Sequence, residues 1–302
     1  MRDSIGDKLS TTAIGPFEWK YTERDVILYN LSLGCHWHEQ RYVNETSTDF
    51  GPLPTLAVIP PYYDVLASVP VSNILPKYNP AMLLHGEQYL EMRAPLPASS
   101  RLLTTARVLD VQDKGKAAIV VIETVTRSAD TGDIIAVNEI TSFMRGAGGF
   151  GKRPPTERNA AAVARNAPPE RPPDATSEET TSEDLAALYR LNGDYNPLHI
   201  DPDFAEMGGF PKPILHGLCT FGVTGKHVLQ SFAGGNPAAL KSIKGRFAKH
   251  VFPGETLRTE MWVVSPTKVV FQTRVVDRDT LAITNAAVEF FQEILAQQSS
   301  KL

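Results

Sequence analysis

Seven stretches of the chain carry apolar residues with a partial period of two. Three fall in the first half, at 101–111, 117–127 and 134–144, and four in the second, at 242–251, 256–264, 268–276 and 281–291. They are rich in Val, Ile, Thr and Phe, and turn residues such as Asp113-Lys114-Gly115 and Asp130-Thr131-Gly132 separate some of them. That pattern predicts strands. Between residues 218 and 232 the spacing changes. Leu218, Phe221, Val228, Leu229 and Phe232 predict one long helix buried against a sheet. Shorter helical patterns open at Thr22-Glu-Arg-Asp25 and Thr181-Ser-Glu-Asp184, with Ser182 as the expected cap of the second. A helix followed by consecutive strands is an α+β arrangement, an antiparallel sheet packed on a helix.

The order of elements repeats. One opening helix ends near Tyr29-Asn30-Leu31 and the other near Tyr189-Arg190-Leu191; Leu84-His85-Gly86 echoes Leu215-His216-Gly217. The chain therefore divides into residues 1–145 and 177–295 as distant repeats, followed by a tail at 296–302. Residues 146–176 hold Gly-Ala-Gly-Gly, Lys-Arg-Pro-Pro and Pro-Pro-Glu-Arg-Pro-Pro runs, the composition of an extended linker. In the first half, Pro60, Pro61 and Pro70 interrupt the region where a long central helix would lie. The first copy is expected to be non-catalytic and to make room for a bulky ligand.

Candidate chemistry concentrates in Asn192-Gly193-Asp194-Tyr195-Asn196-Pro197-Leu198-His199. Gly193 permits a backbone turn that other residues avoid, and Asn196-Pro197 stops a helix. Asp201-Pro202 starts the next helix. Asp194 and His199 thus sit on one bent segment and can converge on a small target such as a water. A carboxylate and an imidazole around one water are acid–base partners near neutral pH. The plain structural alternative is a capped turn with a space-filling histidine. No comparable acid–imidazole pair follows Tyr29, where the chain reads Gly34-Cys35.

Composition narrows the field. With 42% hydrophobic and 21% charged residues the chain can bury an ordinary core, and its net charge of −4 argues against general nucleic-acid binding. No apolar run approaches a membrane span, and the start has no secretory pattern. Cys35 and Cys219 lack metal-ligand spacing and are expected as buried thiols. His36-Trp37-His38 has the spacing to face one side of a strand, but further metal ligands are not identifiable.

Four segments, Met82–Leu90, Asn192–Pro202, Lys212–Gly222 and Lys244–Lys249, resemble the eukaryotic peroxisomal (R)-specific 2-enoyl-CoA hydratases, the hydratase 2 or MaoC-like family. The resemblance covers most of the chain. It implies a double hot-dog fold, two antiparallel sheets wrapping helices, and syn hydration of trans-2-enoyl-CoA to (3R)-hydroxyacyl-CoA. It also implies a homodimer and no metal or redox cofactor. Asp194 and His199 then handle the water and the C2 proton, with Asn196 in support. Gly217, at the predicted start of the long helix, offers its N–H to the thioester oxygen. His85 and Gly86 are expected to line the acyl-CoA site, with Tyr195, Pro197 and Leu198 beside it. Lys114 is a candidate for a CoA phosphate and Phe247 for the CoA arm. Glu45 is expected to support the site.

The chain ends in Ser300-Lys301-Leu302, the tripeptide read by the peroxisomal import receptor. Two other functions fit parts of the pattern: a hot-dog acyl-CoA thioesterase, and a non-catalytic acyl-CoA binding protein. The Asp-x-Asn-Pro-Leu-His turn favours hydration over both.

Overall fold

The computed structural model describes residues 13–62, 64–75, 77–79, 82–151 and 155–294. The tail tripeptide Ser300-Lys301-Leu302 lies outside the described residues.

Strand β1 (Ile14–Tyr21) leads into helix α1 (Glu23–Leu31). Thr22 opens the helix by donating both its N–H and its hydroxyl to the Asp25 carboxylate at 2.9 Å. Where Pro60, Pro61 and Pro70 interrupt the sequence, the chain forms the short turns Pro54–Val58, Pro60–Tyr62, Asp64–Ser68 and Val71–Ile74. Strands β2 (Leu83–Met92), β3 (Ser100–Asp113), β4 (Ala117–Ser128) and β5 (Ile134–Arg145) complete the first half. The second half runs through β6 (Ala175–Thr180), α2 (Leu185–Tyr189), α3 (Pro202–Met207), α4 (Gly217–Ala233), β7 (Leu240–Phe247), β8 (Thr256–Ser265), β9 (Lys268–Val275) and β10 (Thr280–Phe290).

All pairings are antiparallel. The first half orders its strands β1-β3-β4-β5-β2 and the second β6-β8-β9-β10-β7. Position for position the two orders are the same, so the repeat is one of topology. Strands β2 and β7 then pair from Glu87↔Arg246 to Glu91↔Ser242. This seam fuses the two five-stranded halves into one ten-stranded sheet.

Helix α4 is buried on nearly every side, and all five of its predicted apolar positions are covered. It packs against β6, β7, β8 and β10 and, on the other side, against the Pro54–Val58 turn. Among its buried polar residues, Thr224 donates to the Thr220 carbonyl at 2.9 Å and Lys226 to the Gly34 carbonyl at 2.8 Å. In the first half, Val65, Val71, Ile74 and Leu75 from the short turns cover β3 and β4 instead.

Three sequence expectations need correction. The stretch 242–251 is a strand only to Phe247; the chain then bends so that Val251 accepts a hydrogen bond from Leu215 N–H at 2.7 Å. The cap of α2 is Asp184, while the Ser182 hydroxyl accepts from Asp184 N–H at 3.2 Å one turn earlier. His36 and His38 lie on an exposed turn, not a strand, with their rings stacked at 5.5 Å.

The connection between the halves is pinned to both. Arg158 donates to Glu139 of β5 at 2.7 Å, and Lys244 of β7 donates to the Ala164 carbonyl at 2.8 Å. Asn166 N–H donates to Asn285 of β10 at 2.7 Å. A single helical turn, Ala160–Val163, interrupts it, and residues 175 and 176 already belong to β6.

Candidate active site

The turn after α2 is built as its residues dictate. Gly193 takes φ 140°, a backbone angle that a Cβ would strain. Asp194 Oδ1 accepts from Asn196 N–H at 3.1 Å, closing a tight turn. Asn196 in turn accepts from Leu198 N–H at 3.1 Å and caps the 3₁₀ turn Pro197–His199. Asp201 then caps α3, accepting from Asp203 and Phe204 N–H, with Pro202 as its first residue. The capped-turn alternative is therefore real, and it aims the functional groups.

The second Asp194 oxygen, Oδ2, lies 4.0 Å from His199 Nε2. His199 Nδ1 is 2.8 Å from the Ile214 carbonyl. A carbonyl only accepts, so Nδ1 carries the hydrogen and Nε2 presents its lone pair to the Asp194 side. The 4.0 Å gap exceeds a direct hydrogen bond but suits one water bonded to both groups. Burial pushes the His199 imidazole below the ordinary histidine range, partly opposed by the Asp194 charge and the Ile214 carbonyl. The ring is thus kept neutral, the form that can accept a proton.

Gly217 opens α4 directly beside this pair. The residue before it, His216, stacks on the His199 ring at 3.7 Å. Helix geometry leaves the Gly217 and Leu218 N–H groups without intrahelical acceptors, at the positive end of the dipole. A Cβ on Gly217 would stand 3.2 Å from the Phe247 ring. Phe247 meets His85 edge to face at 4.7 Å. The β2–β7 seam thus brings His85 of the first half beside Gly217 of the second. Burial holds His85 down at about 4, so it is neutral.

Other predicted residues scatter. Gly86 is neither a turn nor a helix glycine: it sits at the β2–β5 bulge, where a Cβ would be 3.2 Å from the Thr141 carbonyl. The echo between Leu84-His85-Gly86 and Leu215-His216-Gly217 is consequently not structural, because one is strand and the other a helix start. Leu198 is half-buried, while Pro197 and Tyr195 are exposed, and the Arg190 guanidinium lies 4.9 Å above the Tyr195 ring. Lys114 is on the β3–β4 turn, bonded to Gln112, one residue past the row Asp113–Ala118–Met144–Leu83. Three strand spacings of about 4.8 Å separate it from β2. Glu45 does not join the cluster. It follows a helical turn whose Arg41 and Tyr42 bond to Gly234 and Gly235, at the opposite end of the 17-residue α4.

Two features were missed in the sequence. His216 is buried, and its Nε2 donates to the Asp194 carbonyl at 3.1 Å; only its place before a helix-starting glycine signalled it. The second is a cationic rim beside Val251: Lys212 and Arg278 lie 5.1 and 5.0 Å from the Phe252 ring. A cavity of about 800 Å³ lined by Glu179, Lys226 and His227 shares no residue with the Asp194 cluster.

Asp194, His199 and His216 offer ligand atoms within 4.8 Å of one another. The two rings, however, lie nearly face to face, tilted by 28°. Ring lone pairs lie in the ring plane, so stacked imidazoles do not converge on one ion at the roughly 2.0–2.1 Å of a zinc site. The geometry suits proton transfer better than metal binding.

Residues 19–146 match the MFE-2 hydratase 2 N-terminal domain, and residues 164–286 the MaoC like domain. A Neurospora crassa peroxisomal hydratase-dehydrogenase-epimerase is 50% identical over 276 residues, covering 90% of this chain but only 30% of that protein. A Dictyostelium discoideum protein named probable enoyl-CoA hydratase 2 is 42% identical over 289 residues, covering 95% of this chain and 96% of that one. The crystal structure of a MaoC-like dehydratase from Phytophthora capsici superposes with a TM-score of 0.85 at 33% identity, covering 95% of this chain and 99% of the other. The fold, both halves of the sequence and a relative of nearly equal length agree: the chain belongs to the hydratase 2 family of MaoC-like proteins.

Proposed function

We propose that the chain hydrates trans-2-enoyl-CoA reversibly to (3R)-3-hydroxyacyl-CoA. The observation that carries this is the neutral His199 Nε2 facing Asp194 Oδ2 across 4.0 Å, beside the open end of α4. A water between them gives its oxygen to C3 and one proton to the pair. The pair returns a proton to C2, and the two additions balance. Because one acid–base pair serves both atoms from one side, the addition is syn. The negative charge that develops on the thioester oxygen meets the Gly217 N–H; one such donor is worth about 3–4 kcal/mol to a transition state. No redox or metal chemistry is required at any step.

His85 and Phe247 line the substrate side of Gly217, and the exposed Lys212 supplies charge for a CoA phosphate, while Arg278 is held by the Glu255 carboxylate. The names of the relatives support placement in the peroxisome, and hydration of an enoyl-CoA is a step of β-oxidation. An import receptor bound through Ser300, Lys301 and Leu302, and assembly as a homodimer, complete the proposal.

The test is incubation of the purified protein with trans-2-decenoyl-CoA and chiral analysis of the product. A (3R)-hydroxyacyl-CoA supports the proposal. Release of free CoA would instead identify a thioesterase, and tight binding without turnover a carrier.

A further inference from the structure

We infer that His216 is a positioning residue for this hydration, tying the Asp194 turn, the His199 ring and the Gly217 N–H into one rigid unit. The inference rests on the proposed hydration chemistry. His216 occupies the N-cap position of α4, yet its side chain makes no capping bond to that helix. It turns instead to the catalytic loop, and Nε2–H donates to the Asp194 carbonyl at 3.1 Å. Its ring covers one face of His199 at 3.7 Å, and its own backbone continues into Gly217. A mere cap would point the other way.

The stack also controls charge. Two imidazoles stacked at 3.7 Å do not both become imidazolium cations, because like charges at that range repel strongly. Burial, the neighbouring His199 and Arg190 press His216 down to about 3, against the pull of the Asp194 carbonyl. His216 is therefore the neutral member throughout the working range. The groups facing the pair are the Asp194 carboxylate and carbonyl, the Ile214 carbonyl, Arg190 and the Tyr189 ring, 5.0 Å from His216. The Asp201 carboxylate is turned to its own helix. By keeping water off one His199 face, His216 holds the base unprotonated at lower pH than a solvated imidazole allows.

Two variants separate the roles. His216→Phe keeps a ring over His199 but loses the bond to Asp194. It should lower kcat about ten- to a hundredfold through misplacement, with KM nearly unchanged. His216→Asn keeps a donor but uncovers the ring, and the acid limb of kcat/KM should move up towards the ordinary histidine value. If both variants keep the wild-type kcat and acid limb while the wild type hydrates enoyl-CoA, the role of His216 is overturned and the hydration chemistry stands. If the wild type does not hydrate enoyl-CoA, both fall. A second measurement needs no variant: histidine NMR titration of the wild-type protein. It should show His216 as a neutral Nε2–H tautomer that does not titrate between pH 8 and about 5; titration near 6.5 overturns the inference.

Discussion

Gly217 has room for a hydrogen and little more. Its would-be Cβ meets two Phe247 ring atoms at 3.2 Å, and Phe247 is itself braced by His85. Gly217→Ala therefore keeps the N–H but displaces it or the ring by a few tenths of an ångström. Deleting an oxyanion donor costs about 10²–10³ in kcat, so displacing one should cost roughly tenfold. Steady-state kinetics would check this, and an unchanged kcat would remove Gly217 from the mechanism. His199 makes a second residue-scale prediction. It must be neutral to accept a proton, and burial lowers its folded pKa. Activity should hold as pH falls through 6.5, the reference value for histidine, and decline only below it. A kcat/KM profile with its acid limb above 6.5 would contradict the assignment. Sequence made Asp194, His199 and Gly217 legible because each sits on a backbone signal: a positive-φ glycine, an Asn-Pro break, a helix start. His216 was legible only as the residue before a helix-starting glycine, since stacking and a bond across 22 positions leave no further local trace. Glu45 failed for the same reason in reverse: nothing local says which end of α4 it joins.

Among the elements, α4 shows how close packing is bought with glycine. A Cβ at Gly222 would stand 2.6 Å from Leu33, which is fully buried and has nowhere to go. At Gly225 the nearest contacts, Thr55 and Ile243 methyls, are 3.2 and 3.3 Å away. Overpacking costs about 1–3 kcal/mol, whereas alanine gains about 1 kcal/mol of helix propensity over glycine. Gly222→Ala should therefore be destabilising by about 1–2 kcal/mol, while Gly225→Ala should be close to neutral. Urea denaturation of the two variants would show the difference; equal stabilities would mean that Leu33 does not pack on α4 as described. The strands divide by the same physics. Seven were readable from their Val, Ile, Thr and Phe content. Three were not. Strand β6 is a polar edge of alternating half-buried and exposed residues, and β1 carries Gly15 and Pro16. Strand β2 places Gln88 and Glu91 in buried positions. The covering connection explains Glu91, since Asn159 donates to it at 3.1 Å.

At the scale of the molecule, two copies of one topology have diverged around one site. The copies were legible in sequence as repeated element order. Their fusion into a single sheet was not, because the β2–β7 seam joins residues about 150 positions apart. Desolvated histidines are distributed over both copies, the half-buried His85 in the first and the buried His199, His216 and His227 in the second, and desolvation lowers all four. The unfolded chain takes up protons near 6.5, while the folded chain resists until about 4 for His85 and about 3 for His216. Between those values the unfolded state binds more protons, so stability present above 6.5 is lost progressively as pH falls. The melting temperature should drop steadily from pH 7 to 5, and a flat profile would mean that these rings are hydrated in the folded protein.

The most direct test of the whole account is the initial rate of trans-2-decenoyl-CoA hydration by Asp194→Asn beside the wild type, with the folded state of both verified by melting. Asparagine keeps the shape of the turn and removes the carboxylate from the acid–base pair. Paired action of Asp194 and His199 predicts a fall in kcat of about 10²–10⁴ with an intact fold. A variant that folds and hydrates at the wild-type rate would contradict it.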